Sequence, residues 1–545
     1  MPGELPYRNE PARHGRSKLQ TFTSLPHYVT TPVPRPTLRC GSSVPACASR
    51  DTTYKALPQA PQSRASADAR ALNDLRGSRS QTSNPGKEAL RLLCFALLSF
   101  TRHPRGESAP AAQMSYTIFS SGKTMAHTQT ISRKAPPRAH PAKDPGKVTK
   151  TPRMEGRPVW AEVSGSALTH NLHAIRDFVN PADEQRKTPR LVLSIVKGNG
   201  YGHGGPQVAR ILEKAGSDWF GVTSASEGIE VRKAGVQKPI LVLTSFWPGE
   251  EENLLKHDLT PVVHRCEQLA ALNRVASKRS KRDPFSFHLK MDTGMNRLGI
   301  SPTDVDCFAG QLAKCSHLQL GGVLTHFASS EAFTPSVQGE QTREQEEHFF
   351  VALERLRALG VDPGIVHLAN SAAIAARPET WADMVRPGVI LYGYHPGYDP
   401  SEMRAESERK LPLKPVMSLR TRVISLRRVP AGAGVGYGAK FVTERPSVIG
   451  VLAAGYGDGV HRSLGGRGCV LVRGKLAPIV GIVSMDVTMI DVTEVPGAEI
   501  GEVVTIYGVD GEHTHPANQV ARSIGTVTSD LLCAVSARVP RLYVS

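Results

Sequence analysis

The stretch from residue 191 to residue 204 reads LVLSIVKGNGYGHG. Its first six residues are mostly large and apolar, which predicts a buried β-strand, and a lysine followed by a glycine-rich segment comes directly after them. The next ten residues, Gly205–Lys214, are typical of an amphipathic helix. A strand, a polar loop and a helix in this order form one unit of a parallel α/β fold.

The same unit recurs along the chain to about residue 410. Helical stretches separate most of the apolar runs, and one of them, Glu344–Leu359, precedes the seventh run. Eight strands with intervening helices predict a (β/α)8 barrel of the TIM type. The predicted strands are Leu191–Val196, Trp219–Thr223, Ile240–Thr244, Thr260–His264, Phe285–Met291, Leu318–Thr325, Ile365–Leu368 and Met384–Ile390.

The pattern changes after Leu411. The apolar runs become short and β-branched, and glycine and proline separate them, which predicts a C-terminal all-β domain. We therefore predict a leader over 1–153, a barrel over 154–410 and a β-domain over 411–545. The runs of the β-domain are Val416–Leu426, Ser447–Leu452, Cys469–Val472, Ile479–Val483, Val487–Val492 and Val503–Tyr507.

Residues 1–150 differ from the rest in composition. Pro, Ser, Arg, Thr and Ala dominate without a helical or strand period, which is typical of a disordered segment. This leader holds 23 Lys and Arg against 8 Asp and Glu, whereas the remainder holds 44 against 41. The net charge of +18 therefore comes mostly from the leader, so we expect no nucleic-acid partner for the folded part.

The apolar run Ala89–Phe100 is the one candidate for a targeting segment in this leader. It is too short to cross a bilayer and lies far from Met1. Internal methionines at Met114, Met125 and Met154 favour an alternative, in which the start has been assigned too early. We expect a cytoplasmic protein with no membrane partner, and export stays an open alternative.

The eight cysteines are scattered and form no Cys-x-x-Cys pair. Zinc ribbons and thioredoxin-like motifs are therefore not indicated. Mostly inert thiols in a reducing compartment are the simplest interpretation.

Polar residues follow most of the predicted barrel strands, at the end where a barrel gathers its active site. A lysine in the position of Lys197 is costly to bury unless it is paired or used covalently. Acidic partners are few, so no metal site is expected, and a phosphorylated organic cofactor fits better. The polar residues after the later strands are Lys290, Asp292, Arg297, His326, His367, Asn370, Ser371 and Arg386.

Several motifs built on these residues resemble those of alanine racemases, and the match runs from about Met154 to Ser545. The barrel motifs are Lys197-Gly-Asn-Gly-Tyr201-Gly-His-Gly, Lys290-x-Asp-Thr-Gly-Met-x-Arg297, His367-x-Ala-Asn-Ser371 and Arg386-Pro-Gly. The β-domain follows in the family's order with Gly436-Tyr437-Gly438-Ala439, Gly455-Tyr456-Gly457-Asp458-Gly459 and Ser484-Met485-Asp486. The resemblance implies a fold-type III, pyridoxal phosphate (PLP)-dependent isomerase that interconverts L- and D-alanine for peptidoglycan synthesis.

The resemblance also implies two catalytic residues. Lys197 would carry PLP and act as one base, and Tyr437 would be the other base, supplied by the partner subunit of a homodimer with shared active sites. Racemisation needs a proton removed from one face of the α-carbon and another added to the opposite face, so two groups are required.

The remaining site residues are assigned by the same resemblance. Arg386 would face the pyridine nitrogen, where a guanidinium does not readily give up a proton and so disfavours side reactions. His367 would orient Arg386, and Lys290, which matches a position often carbamylated in the family, would hold Arg297. His326 would lie near the cofactor ring. The phosphate would be bound by Tyr201, Asn370, Ser371, Gly388 and Val389, the substrate carboxylate by Arg297 and Met485, and the entrance would be lined by Tyr456.

One departure from the family pattern bears on specificity. The family usually has a Tyr-Glu pair before Leu-x-Cys, whereas this chain has Ser529-Asp530 before Leu531-Leu532-Cys533. A serine keeps a hydroxyl group but removes the aromatic ring. A broad-specificity racemase acting on serine or larger amino acids is therefore the main alternative.

Three further alternatives are weaker. A PLP-dependent decarboxylase is disfavoured because the sequence has no Gly-Gly-Gly phosphate loop and no Cys-Asp pair in the β-domain, and because Arg386 replaces an acid at the pyridine nitrogen. A PLP carrier would not need the β-domain with Tyr437. Nucleic-acid binding through the leader would be an appended activity, removable by deleting residues 1–150.

Overall fold

The computed structural model describes residues 156–545. The predicted leader over 1–153 and its apolar run Ala89–Phe100 lie outside these residues.

Eight parallel strands form the barrel that the sequence predicts, and they surround the carboxyl-end cavity described below. In chain order the first nine strands are β1 (Val159–Ser164), β2 (Leu191–Ile195), β3 (Trp219–Val222), β4 (Ile240–Val242), β5 (Leu259–Val263), β6 (Phe285–Lys290), β7 (Leu318–Leu324), β8 (Ile365–His367) and β9 (Met384–Val385). Strands β2 to β9 form the barrel, in the order β8-β7-β6-β5-β4-β3-β2-β9. The end strands β8 and β9 lie side by side, since the Asp383 amide donates to the Val366 carbonyl at 3.0 Å. The barrel is therefore nearly closed.

Strand β9 is shorter than the predicted run Met384–Ile390. Pro387 has no amide hydrogen to donate to a ladder, and the chain then turns into the 3-10 segment Val389–Tyr392. This turn directs the Gly388 amide into the cavity instead of along a strand.

Helices follow most of the barrel strands. The predicted helix Gly205–Lys214 is confirmed and buries Val208, Ala209 and Leu212 against the barrel. The predicted helix Glu344–Leu359 begins seven residues earlier, because the Ser336 hydroxyl caps it by accepting from the Gly339 amide. The helices are Gly165–Val179, Gly205–Lys214, Ala225–Lys233, Glu251–Lys256, Glu267–Ala276, Val305–Leu312, Val337–Ala358, Ser371–Ala376, Glu402–Lys410, Ala517–Ser523 and Thr528–Cys533.

Side chains on alternate positions of the barrel strands enter two different clusters. Val192 packs with the helix residues Val208 and Leu212, whereas its neighbour Leu193 packs with Leu241 and other strand residues. This alternation is what a barrel strand requires, with one face toward the interior and the other toward the helices.

The C-terminal domain is built on a nine-stranded sheet. Strand β1 also belongs to it, because Trp160 pairs antiparallel with Arg420 and Glu162 pairs parallel with Leu542. The first strand of the range predicted as barrel, 154–410, thus contributes to the other sheet. The later strands are β10 (Met417–Val429), β11 (Gly434–Val435), β12 (Phe441–Val442), β13 (Ser447–Leu452), β14 (Cys469–Val472), β15 (Lys475–Pro478), β16 (Thr488–Asp491), β17 (Val503–Asp510), β18 (His513–His515) and β19 (Arg541–Val544).

One predicted run of this domain is not a strand. Ile479–Val483 makes a single bridge, from Ile479 to Ile490. The preceding residues form β15, which pairs with β14 across the two-residue turn Arg473–Gly474. Both turn residues have positive φ, as a tight hairpin turn requires. The hairpin therefore determines that β15, and not the more hydrophobic run Ile479–Val483, is the strand.

Candidate active site

A cavity of about 580 Å³ opens at the carboxyl ends of the barrel strands. This volume lies within the range of pockets that bind small organic molecules. The structure brings ten of the predicted site residues into this one cavity. They are Lys197, Tyr201, Lys290, Arg297, His326, Asn370, Ser371, Arg386, Gly388 and Val389.

Lys197 begins a turn with an unusual backbone. Gly198, Asn199, Gly200 and Tyr201 all have φ between 50° and 63°, the left-handed region that ordinary side chains seldom adopt. The Gly198 amide donates to the Glu227 carboxylate at 2.8 Å, which holds the start of the turn. The turn presents the side chains of Lys197 and Tyr201 to the same cavity.

The electrostatic setting of Lys197 favours its neutral form. Burial, followed by the positive charge of Arg297, lowers the pKa of the Lys197 amine. A neutral amine is the form that can attack a carbonyl group or accept a proton.

Arg386 is a buried residue of the cavity wall and is held by backbone carbonyls. Its Nη1 donates to the His367 carbonyl at 2.6 Å, and its Nη2 donates to the carbonyls of Thr325 and Leu368 at 2.8 and 2.7 Å. Burial lowers the pKa of Arg386 to about 9, which still leaves it cationic at neutral pH. The guanidinium is thereby fixed in one orientation.

Two buried histidines form a chain of hydrogen bonds that begins at Arg386. Arg386 Nη1 lies 3.3 Å from His367 Nδ1, and His367 Nε2 lies 2.9 Å from His288 Nδ1. A guanidinium only donates, so His367 Nδ1 accepts and its Nε2–H donates to His288. Burial lowers the pKa of His288 to about 3 and that of His367 well below its ordinary value, so both rings are neutral at pH 7.

His288 was not predicted from the sequence. It precedes Lys290 by two residues on β6, so both side chains lie on the same face of that strand. The two-residue spacing from Lys290 could have indicated from the sequence that His288 lies near the site.

Lys290 and the loop after it form another side of the cavity. Burial, and next the charge of Arg297, lower the pKa of Lys290 to about 8. The Asp292 carboxylate accepts from the amides of Asn296 at 2.9 Å and Arg297 at 2.7 Å. Asp292 therefore shapes the loop that carries Arg297.

Hydroxyl and amide groups converge at another part of the cavity lining. The Gly388 amide donates to the Ser371 hydroxyl at 2.8 Å, and a Cβ atom on Gly388 would lie 2.6 Å from the Tyr201 hydroxyl. Burial raises the pKa of Tyr201 to about 12, so its phenol stays a neutral donor. We call Tyr201, Ser371 and Gly388 the hydroxyl cradle. Asn370 lies beside it and caps the helix Ser371–Ala376 through the amides of Ala372 and Ala373.

Four predicted residues do not line this cavity. His367 lies beneath it, as described above. Tyr437 is 72% exposed, Met485 53% and Tyr456 43%. A single chain thus does not bring Tyr437 to Lys197.

The loops carrying Tyr456 and Met485 are nevertheless tightly held. The Asp458 side chain between them is fully buried and accepts from Arg157 at 3.0 Å and from Arg538 at 2.8 Å. The Gly457 amide donates to the Met485 carbonyl at 2.9 Å. We call Arg157, Asp458 and Arg538 the arginine clamp.

Part of the cavity lining was not predicted. Thr244 ends a predicted strand, so its position carried a signal, whereas Arg404 and Arg522 lie on helices with no motif. The lining also contains Ser529, which the sequence singles out for its effect on specificity, and its neighbour Thr528. Within residues 156–545, no group of three or more His, Cys, Asp or Glu side chains is placed to hold a metal ion. Among these same residues, no helix is long and apolar enough to cross a membrane.

The chain matches the two domains of one enzyme family. The family model of the alanine racemase N-terminal domain matches residues 163–396, and that of the C-terminal domain matches residues 416–543. The curated alanine racemase of Halothermothrix orenii is 38% identical over 387 residues, covering 71% of this chain and 97% of that protein. The alanine racemase of Geobacter sulfurreducens is 37% identical over 396 residues, covering 72% and 98%.

Solved structures agree with these matches. Alanine racemase from Bacillus anthracis with bound L-Ala-P has a TM-score of 0.64 and 33% identity, covering 72% of this chain and 96% of that one. Biosynthetic alanine racemase from Pseudomonas aeruginosa has a TM-score of 0.61 and 34% identity, covering 72% and 100%. The sequence, the fold and these relatives together place the chain in the alanine racemase family.

Proposed function

We propose that this protein is a PLP-dependent alanine racemase, which interconverts L- and D-alanine and so supplies D-alanine for peptidoglycan. The observation that carries the proposal is the single cavity that holds Lys197, Arg386 and the hydroxyl cradle, built from motifs of a racemase family.

The cavity fits PLP at two points. The hydroxyl cradle offers two hydroxyl groups and one amide around a position that only a glycine leaves open, which suits a phosphate dianion. Asn370 and Val389 flank this end. Arg386 and His326 line the same cavity, and the aromatic ring of the cofactor would be bound beside them. When bound, PLP would withdraw electrons from the α-carbon of the amino acid and make its proton acidic.

Lys197 is proposed to hold the cofactor and to serve as the base on one face of the α-carbon. Its lowered pKa favours the neutral amine that such a role needs. Arg297 lines the same cavity, where its guanidinium would bind the substrate carboxylate.

Tyr437 is proposed as the base on the opposite face, contributed by a second copy of the chain. It stands on the short turn between β11 and β12 and is largely exposed. Met485 and Tyr456 are exposed as well, on loops held by the arginine clamp. A homodimer that places these three residues over the cavity of its partner would complete two sites by one symmetric contact.

Arg386 is proposed to keep the chemistry selective. Its Nη atoms are engaged with carbonyl groups and with neutral histidines, so it offers orientation and charge without giving up a proton. This arrangement would disfavour competing reactions of the same cofactor.

The test is a circular-dichroism racemisation assay on the purified protein with PLP. The circular-dichroism signal of L-alanine should decay to zero. A reaction started from D-alanine should reach the same equimolar mixture. An inactive protein that still shows the visible absorbance of bound PLP would refute racemisation and favour a decarboxylase or a carrier.

Broad specificity is the second candidate, because Thr528 and Ser529 line the cavity without an aromatic ring. It predicts that L-serine is racemised within about tenfold of L-alanine in kcat/KM, and that Ser529→Tyr lowers the serine rate more than the alanine rate. L-lysine extends the same comparison to a longer side chain. A preference for alanine of several orders of magnitude in the wild-type protein would rule this candidate out.

A further inference from the structure

We infer that the C-terminal strand β19 positions Lys197, with Arg541 and Tyr543 as positioning residues that hold the turn 197–204 against the β-domain. The inference rests on the proposed function, because it gives Lys197 its catalytic role.

The turn needs support from outside itself. Four successive residues adopt left-handed backbone angles, and two of them, Asn199 and Tyr201, carry side chains. Residues that carry a side chain seldom adopt these angles and keep them only where the surroundings impose them. Such a turn would relax toward ordinary angles if its anchors were lost, and the Lys197 amine would move with it.

Strand β19 supplies two anchors at the far end of the turn. Arg541 donates to the Gly202 carbonyl from Nε at 3.0 Å and from Nη2 at 2.9 Å. The Tyr543 hydroxyl donates to the His203 carbonyl at 2.9 Å. A Cβ atom on Gly202 would clash with the Leu532 carbonyl, and one on Gly204 would clash with the Tyr543 hydroxyl. The turn therefore lies in direct contact with β19 and with the helix Thr528–Cys533.

Arg541 also holds a second wall of the cavity. Its Nη1 donates to the carbonyls of Ser536 and Val539, and its Nη2 to that of Val535, each at 2.6 Å. These carbonyls follow the helix Thr528–Cys533, whose residues Thr528 and Ser529 line the cavity. One guanidinium thus joins the turn that carries Lys197 to the segment that follows the helix carrying Thr528 and Ser529.

Another arginine provides a matched control for general stability. Arg232 donates to four carbonyls, those of Val236, Lys238, His257 and Asp258, at 2.7 to 3.2 Å. Burial lowers the pKa of Arg232, as it does that of Arg541. Arg232 does not line the cavity, so its loss removes the same kind of contact without touching the site.

The experiment compares Arg541→Met with Arg232→Met in the full chain. Methionine retains an unbranched stem and removes all the donors. Four quantities are measured: PLP affinity by absorbance titration of the cofactor-free protein, kcat, KM for alanine, and the unfolding temperature. Both variants should unfold at a lower temperature, because each loses hydrogen bonds to four backbone carbonyls.

Only Arg541→Met should also bind PLP about tenfold more weakly and lose about 10- to 100-fold in kcat, with little change in KM, because a displacement near 1 Å suffices for such a loss. An Arg541→Met protein with the PLP affinity and kcat of the wild-type protein would overturn the inference. Equal losses of PLP affinity and kcat in both variants would also overturn it, since these would indicate a general effect of stability.

The Tyr543→Phe variant tests the positioning role of β19 if the Arg541→Met protein does not fold. It removes one hydroxyl donor and should lower kcat several-fold, in the same direction and with a normal unfolding temperature. An unchanged kcat in a folded Tyr543→Phe protein would overturn the inference. A wild-type protein that neither binds PLP nor racemises alanine would instead refute the proposed function, and the inference with it.

Discussion

The barrel and the β-domain carry equally specific motifs, but they present them differently. In the barrel, Lys197, Arg386 and the hydroxyl cradle converge on one cavity of a single chain. In the β-domain, Tyr437, Tyr456 and Met485 do not line that cavity and are 43–72% exposed. One chain therefore completes only the barrel half of the proposed site, and the other half depends on the proposed second copy.

Removing the barrel base should give the largest effect. Lys197→Ala should lower kcat by about 10³-fold or more, because it removes both a proton-transfer group and the attachment of the cofactor. The assay is racemisation of L- and D-alanine, with the unfolding temperature as a check on the fold. A Lys197→Ala variant that retains a tenth of the wild-type rate would contradict the assignment of Lys197 as a base.

Removing the β-domain base should affect the two directions separately. Tyr437→Phe should lower kcat by about 10²-fold or more. In deuterated water, exchange of the α-proton should survive for one enantiomer of alanine and be lost for the other, because the Lys197 face is intact. The substitution removes one hydroxyl group and keeps the aromatic ring, so the unfolding temperature should change little. Equal loss of exchange for both enantiomers would contradict the assignment of one base to each face.

The arginine clamp should have an intermediate effect. Asp458→Asn removes the carboxylate shared by Arg157 and Arg538, and we expect a loss of about 1–3 kcal/mol in unfolding free energy, since both arginines are partly exposed. We also expect a several-fold rise in KM for alanine as the loops of Tyr456 and Met485 loosen.

Glu502→Gln is the matched control for the clamp. It breaks the ion pair with Arg473 in the same domain, 2.8 Å across, without touching these loops. The same rise in KM in Glu502→Gln would mean that the clamp has no special role at the site.

The smallest effect concerns the buried Lys290. Its folded pKa of about 8 lies below the ordinary value of 10.5, so between these values the unfolded chain binds more protons than the folded chain. The unfolding free energy should therefore rise with pH from about 8 to 10.5 in carbonate-free buffer without PLP, and Lys290→Met should flatten this rise. An identical pH dependence in both proteins would contradict the lowered pKa.

Much of the barrel could be predicted from the sequence, because each of its strands is a short apolar run that ends in a polar residue. The motif residues around Lys197 and Arg386 met in the cavity since parallel strands share one carboxyl end. The β-domain was harder. Strand β1 joins the later sheet through pairing with β10 and β19, and no local pattern records such long-range pairing.

Other features of the site depended on tertiary contacts. His288 became visible only through its contact with His367, and Arg541 only through the carbonyl of Gly202, 339 residues away. Hydrophobic pattern also failed at Ile479–Val483, where the tight hairpin before it fixed the register. The absence of Tyr437 from the cavity of its own chain was expected from the family resemblance, and its local motif alone carries no such information.

The most direct test of a site shared between two chains is a mixing experiment. Lys197→Ala and Tyr437→Phe are each purified, mixed in equal amounts, partly unfolded and refolded together with PLP. If each site takes Lys197 from one chain and Tyr437 from the other, half of the dimers are mixed and each has one intact site, so the mixture should regain about a quarter of the wild-type activity. A mixture no more active than its two components, with exchange of subunits verified, would contradict the shared site.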